Sequence, residues 1–257
     1  MRQLPRIMVA PNGARRTKAD HPALPITVDE IAACAKECYA AGADGLHAHI
    51  RDSAGGHLLD ADKYRHLISR VREVVPEMAI QITTEAVGIY DPDAQMRIAL
   101  TSGADMVSAS IKEISGAGAS KARAFYQQAQ TNGIAVQHIL YSLEDCNLLE
   151  DTIGRESVTD PRLEVIFVLG SYGGAKDATL GDLDIFTSWM NKREVSPDWA
   201  VCAFGPAEVA CLAKAVACGG KCRVGFENSL VLSDGTVASN NAQKISDLLA
   251  VLNQADS

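Results

Sequence analysis

The sequence predicts a single (β/α)8 barrel spanning residues 1–257, and three observations carry that prediction. Short β-rich runs alternate with amphipathic helical stretches along the whole chain. Eight such runs can be counted, and no Pro/Ser-rich linker or low-complexity segment separates them. The 257 residues also lie close to the ~250 at which such a barrel forms one unit. Strict β/α alternation implies a parallel sheet, and closure is the commonest solution at this length. An open doubly wound sheet is the alternative, disfavoured because no GxGxxG follows the first strand.

In chain order, RIMVAPNG (6–13) reads as the first strand. Thr27, with Glu30 three residues on, forms a capping box for the first helix, which Ala41-Gly42-Ala43 ends. GLHAHIRD (45–52) is the second strand. The next helix begins near Asp60 to Asp62 and carries Tyr64, Leu67, Ile68, Val71 and Val74 at helical spacing until Pro76 stops it. The other six strands are AIQITTE (79–85), DMVSASI (105–111), IAVQHILY (134–141), LEVIFVLG (163–170), WAVCAFG (199–205) and CRVGFENS (222–229). The order helix, glycine, strand recurs in QTNGIAVQHIL and ACGGKCRVGF. Gly219 and Gly220 precede the eighth strand, on the face opposite the strand C-termini, and read as a turn rather than a phosphate cradle.

Composition narrows the function. The net charge of −8 and the shortness of the longest basic segment, Arg15-Arg16-Thr17-Lys18, argue against a nucleic-acid partner and for a small molecule. No apolar run reaches the ~18 residues of a membrane span or forms a signal-peptide core, so the expectation is a cytoplasmic protein without a membrane partner. The seven cysteines are an odd set; Cys34, Cys38, Cys211 and Cys218 lie in Ala-rich helical patterns as small buried hydrophobes, and no disulfide is implied.

His47 and His49 are the first candidates for chemistry. Strand side chains alternate faces, so residues two apart point the same way, and neutral imidazole is the commonest ligand for zinc and its neighbours. Two satisfied core histidines are the alternative. In a barrel the pair lies near the C-terminal end of the second strand, where active sites form. A catalytic zinc usually takes three protein ligands. Of the six histidines only His138 falls on a later strand, so the third ligand is sought among carboxylates. Glu227 ends the eighth strand, which flanks the same first strand as the second does; it either completes the metal set or pairs with Arg223.

These residues resemble the β-keto acid cleavage enzymes, zinc-dependent (β/α)8 barrels typified by the aminohexanoate-cleaving type. The resemblance rests on NGA (12–14), DHPALPIT (20–27), AGADGLHAHIRD (41–52), IQITTE (80–85), FVLG (167–170), WAV (199–201) and GGKCRVGFEN (219–228). It implies that His47, His49 and Glu227 hold zinc or a similar divalent metal, and that a β-keto acid condenses there with acetyl-CoA as co-substrate. The products would be acetoacetate and the CoA ester of the remaining acyl group. It implies a catalytic arginine at Arg223 and a substrate-contacting hydroxyl at Thr83. Ser108, on a more divergent fourth strand, is a further candidate for substrate contact. A homotetramer is also implied.

Two departures stand out. The family's zinc glutamate is followed by an aspartate that helps generate the nucleophile, whereas this chain has Asn228, and an amide cannot serve as a general base. Glu85 is the candidate to take the proton instead, its alternative being an arginine partner. Arg15 stands where the aminohexanoate-cleaving type has a glutamate that holds the substrate ammonium, which predicts an anionic or neutral distal group on the substrate. A solvated loop residue, or a contact to CoA phosphates, is the alternative for Arg15. The leading expectation is thus a zinc-dependent acyltransferase. A metal-dependent carbon–carbon lyase acting without CoA, and a catalytically impaired protein that binds metal and keto acid, are the other two.

Overall fold

The computed structural model describes residues 3–171 and 176–255. Eight parallel strands among them close into a barrel: β1 (Ile7–Val9), β2 (Gly45–Ala48), β5 (Ala79–Thr83), β6 (Met106–Ser110), β7 (Ala135–Leu140), β8 (Glu164–Leu169), β9 (Asp198–Ala203) and β10 (Lys221–Val224). Their order around the barrel is β1, β10, β9, β8, β7, β6, β5, β2, so β1 closes it between β10 and β2. A small antiparallel hairpin, β3 (Ile50–Arg51) with β4 (His57–Leu58), follows β2. The helices are α1 (Val28–Ala40), α2 (Ala61–Val74), α3 (Pro92–Thr101), α4 (Ile111–Ser115), α5 (Ala119–Thr131), α6 (Leu143–Ile153), α7 (Arg155–Val158), α8 (Asp184–Arg193), α9 (Glu208–Ala217) and α10 (Asn241–Ala255). None is long and apolar enough to cross a membrane.

Local chemistry sets the element ends. Thr27 caps α1 with the full capping box, its hydroxyl accepting from Glu30 N while the Glu30 carboxylate accepts from Thr27 N, an arrangement worth about 1 kcal/mol over alanine. Asp60 caps α2, whose buried stripe is Tyr64, Leu67, Ile68 and Val71. Gly219 turns with φ of 86°, and a Cβ at Gly220 would collide with the Trp199 ring, so both glycines serve the backbone, as their position before β10 predicts.

Alternation of side chains sorts each strand into two layers. Val9, Leu46, Ile82, Val107, Val165, Phe167, Val201 and Val224 face outward into the main core under the helices. Met8, Met106, Ile139, Ile166, Val168 and Cys202 face inward and plug the barrel. The strands are shorter than their sequence runs predict, the first most of all, since only Ile7–Val9 of residues 6–13 is strand. The second breaks after Ala48, because Ile50 and Arg51 pair with the hairpin instead of a barrel neighbour. The eighth ends at Val224, because Gly225 takes φ of 148°. His49 and Glu227 therefore lie just beyond their strands. Among the cysteines, Cys38 and Cys211 are buried as expected, but Cys34 is half-buried and Cys218, at the exposed end of α9, is open to solvent.

One interior group makes stability depend on pH. Glu164 is buried at the start of β8; burial and the neighbouring Asp198 carboxylate push its carboxyl up to about 7, against the pull of Lys221. An acid whose folded pKa is raised keeps its proton in the native state while the unfolded chain has lost it, so stability falls as pH rises from about 4.5 to about 7. Glu164→Gln is expected to flatten that fall and to raise stability at pH 8 by about 1–3 kcal/mol. Denaturant unfolding of both chains across that range measures the difference; parallel profiles would assign the pH dependence elsewhere.

Candidate metal centre

His47 leaves β2 pointing into the barrel, and His49 follows it on the same side. Both are 1 % exposed, and their Nε2 atoms lie 3.1 Å apart. Burial pushes both imidazoles well below their usual pKa, aided by Arg223 beside His47 and by His47 and His57 beside His49. Both are neutral and can donate a lone pair.

A polar chain across the barrel assigns the His47 tautomer. Val165 O can only accept, so Gln137 Nε2 donates to it at 3.3 Å. Gln137 Oε1 then accepts from Gln81 Nε2 at 3.0 Å, which turns Gln81 Oε1 toward His47 Nδ1 at 2.8 Å. His47 Nδ1 must carry the hydrogen, leaving Nε2 bare toward His49. His49 Nδ1 faces Glu85 Oε2 at 4.0 Å.

Glu227 reaches the same point from the turn after β10. Gly225 lies so close to the end of β1 that a Cβ would strike the Ala10 carbonyl, and that carbonyl accepts from Glu227 N at 3.1 Å. Phe226 N donates to Asn241 Oδ1, whose amide nitrogen donates to Pro11 O, tying α10, the turn and β1 together. So held, Glu227 Oε2 sits 3.7 Å from His47 Nε2 and 3.6 Å from His49 Nε2, and Glu227 Oε1 sits 3.5 Å from Arg223 Nη2. One oxygen of Glu227 thus pairs with Arg223, and the other faces the two imidazoles.

The donor set fits a divalent cation. Ligand atoms of His47, His49 and Glu227 all lie within 4.8 Å of one another in a buried cluster. Glu227 Oε2 is buried without a hydrogen-bond partner, and burial pushes its carboxyl up despite Arg223 and Arg16. A buried carboxylate so incompletely paired costs several kcal/mol, and a cation would offset that. Two imidazole nitrogens and one carboxylate oxygen are also a familiar catalytic zinc set.

The other predicted residues ring this centre unevenly. Glu85 is 22 % exposed in its side chain; burial together with Glu227 and Glu113 pushes its carboxyl up to about 7, opposed by Arg15 and Arg223. Thr83 Oγ1 accepts from Glu85 N at 3.0 Å and so anchors that residue. Ser108 is paired in register with Thr83 and buried in the same interior. Arg15 is exposed, in a loop whose carbonyls at Asn12, Gly13 and Arg16 all accept from Arg51. Asn228, next to Glu227, is held through its amide nitrogen, which donates to Glu208 Oε1 and Arg223 O. Sequence reasoning missed Gln81, Gln137 and Glu208. For the glutamines a signal existed, since Gln81 alternates with Thr83 on one strand and lies in register with His47 on the next. For Glu208 there was none.

A model of the beta-keto acid cleavage enzyme family matches residues 6–257. The chain is similar to a 3-keto-5-aminohexanoate cleavage enzyme from Fusobacterium nucleatum, 27 % identical over 91 % of this chain and 85 % of that protein. It is similar to a 3-oxoadipate:acetyl-CoA acetyltransferase from Cupriavidus necator, 23 % identical over 95 % of this chain and 87 % of the other. Among solved structures, ObcA in its binary complex with oxaloacetate shares the fold, with a TM-score of 0.73 at 16 % identity over 92 % of this chain. This chain spans only 65 % of that longer one.

The centre makes a direct prediction. The metal-free protein is expected to take up one divalent ion per chain, and His47→Ala or His49→Ala to abolish the uptake. Gln81→Leu, which touches no ligand atom of the ion but frees the His47 ring, is expected to weaken it about 10–100-fold. Competition with a chromophoric chelator reads all four chains; undiminished affinity in Gln81→Leu would remove the orienting role of the glutamine chain.

Proposed function

Because this chain belongs to the beta-keto acid cleavage enzyme family, we propose that it exchanges acyl groups between a β-keto acid and acetyl-CoA, with zinc held by His47, His49 and Glu227. The reaction balances as R–CO–CH2–COO− plus CH3–CO–SCoA giving CH3–CO–CH2–COO− plus R–CO–SCoA. What supports this reading above all is the buried two-histidine, one-carboxylate cluster with Arg223 against it. The metal, when bound, supplies Lewis acidity that polarises the keto oxygen.

The chain's own residues divide the remaining work. Arg223 is buried and keeps its charge, and a fixed guanidinium favours carboxylate or enolate-like charge developing beside it. Glu85 takes the proton from the carbon between the keto and carboxylate groups and returns it to that carbon once the acyl group has been exchanged. Its carboxyl, pushed up to about 7, matches a general base working near neutrality. Thr83 fixes Glu85 through its backbone N–H, and Ser108 offers a hydroxyl to substrate from the adjoining strand.

Arg15 sets the substrate class. Its positive charge reaches the site, since it pulls on the Glu85 carboxyl. A cation at the distal end of the substrate would be repelled there, whereas a carboxylate would be drawn in. The similarity to a protein named for 3-oxoadipate, a keto acid with a second carboxylate, supports an acidic distal group.

A panel of β-keto acids, each incubated with and without acetyl-CoA and read by mass, tests the reaction. The expected result is an acyl-CoA product that requires acetyl-CoA and is largest for a dicarboxylic substrate. Cleavage at equal rate without acetyl-CoA would make the protein a lyase, and no cleavage by metal-loaded protein would make it a binding protein. Arg15→Glu is expected to move preference by about 10-fold or more toward aminated substrates. An unchanged ratio of kcat/KM values would return Arg15 to the solvated loop.

A further inference from the structure

The departure at Asn228 has a structural partner that neither the family likeness nor the proposed chemistry assigns. Glu208, the first residue of α9, is 1 % exposed. Its Oε1 accepts from Gly225 N at 3.1 Å and from Asn228 Nδ2 at 3.0 Å, so one carboxylate grips the turn on both sides of Glu227. Its Oε2 lies 2.5 Å from Nζ of Lys244 on α10, which is fully buried and also donates to Val231 O. Asn228 Nδ2 has a second acceptor, Arg223 O, at 2.9 Å. Both groups facing that nitrogen can only accept, so the position demands a donor. An ionised aspartate there would set one carboxylate against another in a buried site and face a carbonyl as well.

We infer that Glu208, neutralised by Lys244, is the positioning residue for the Glu227 turn, and that Asn228 is its hydrogen-bond donor rather than a disabled proton acceptor. The buried charges form a matched set: Lys244 balances Glu208, Glu208 holds Gly225 and Asn228, and those two bracket the residue that faces His47 and His49. Restoring an acid at 228 alone therefore disrupts the turn instead of recovering a base. Moving the negative charge from 208 to 228 keeps the net charge beside Lys244 and gives the new carboxylate an amide donor. The role toward the metal rests on the zinc reading above; the pairing of 208 with 228 does not.

The test compares the parent with Asn228→Asp, Glu208→Gln and the double variant, measuring thermal unfolding of the metal-free chains and Zn2+ affinity by chelator competition. Asn228→Asp is expected to lower the unfolding temperature by about 5 °C or more and zinc affinity by about 10-fold or more. In the Glu208→Gln background the same substitution is expected to cost less than half as much on both measures. Equal costs in the two backgrounds, or no cost in the parent, would overturn the pairing. Coupling in unfolding temperature with unchanged zinc affinity would overturn the positioning role. If Asn228→Asp yields no folded chain, a folded double variant supports the pairing; an unfolded one, with Glu208→Gln folded, overturns it. A parent that binds no zinc would defeat the proposed function while leaving the coupling in unfolding temperature intact.

Discussion

Closure of the barrel at β1 is the constraint on which the rest depends. β1 pairs with β2 on one side and β10 on the other, so the chain beyond β2 and the chain beyond β10 emerge at neighbouring points of the same rim. His47, near the end of β2, and His49, just past it, meet Glu227 from the turn after β10, about 180 residues away in sequence and less than 4 Å away in space. The Ala10 carbonyl, just past β1, accepts from Glu227 N and leaves no room for a side chain at Gly225. A few backbone atoms at the exit of the shortest barrel strand thus position the Glu227 turn.

Inside that frame, polar groups are costly unless each has a role. The barrel interior carries apolar side chains such as Met8, Met106 and Ile166, yet it also holds Gln81, Gln137, Thr83, Ser108 and Arg223. The glutamines form a single directed chain from Val165 O to His47, and its direction decides which imidazole nitrogen is bare. Arg223 and Glu227 partly offset one another, and Lys244 offsets Glu208 behind them. Charge in this half of the barrel is arranged in layers: a donor cluster at the centre, Arg223 beside it, and a buried ion pair supporting the turn from outside.

That layering bears on how the chain's departures from its family are understood. A missing acid beside the third donor suggests lost chemistry when only the sequence is in view. In the fold the same side chain is a structural donor, while Glu85 lies across the site near His49 with its carboxyl raised. With the Asn228 amide engaged by Glu208, Glu85 is the acid to which the proposed proton transfer is given.

The sequence alone determined the eight-strand alternation, the cap of α1 and the stop of α2 before Pro76, and it singled out His47, His49 and Glu227 as the candidate donors. These follow from side-chain period, turn chemistry and donor type, all of which act over a few residues or are intrinsic to the side chain. The ends of the second and eighth strands were less legible: apolar runs continue through Ile50 and Phe226, but the hairpin register and the φ of Gly225 end the barrel strands earlier. Only tertiary structure decided the His47 tautomer, the two-sided engagement of Glu227, and the grip of Glu208 on Asn228. Each depends on which atoms from distant strands and helices meet in a low-dielectric interior, where a donor or an acceptor is dictated by its neighbours rather than by its place in the chain.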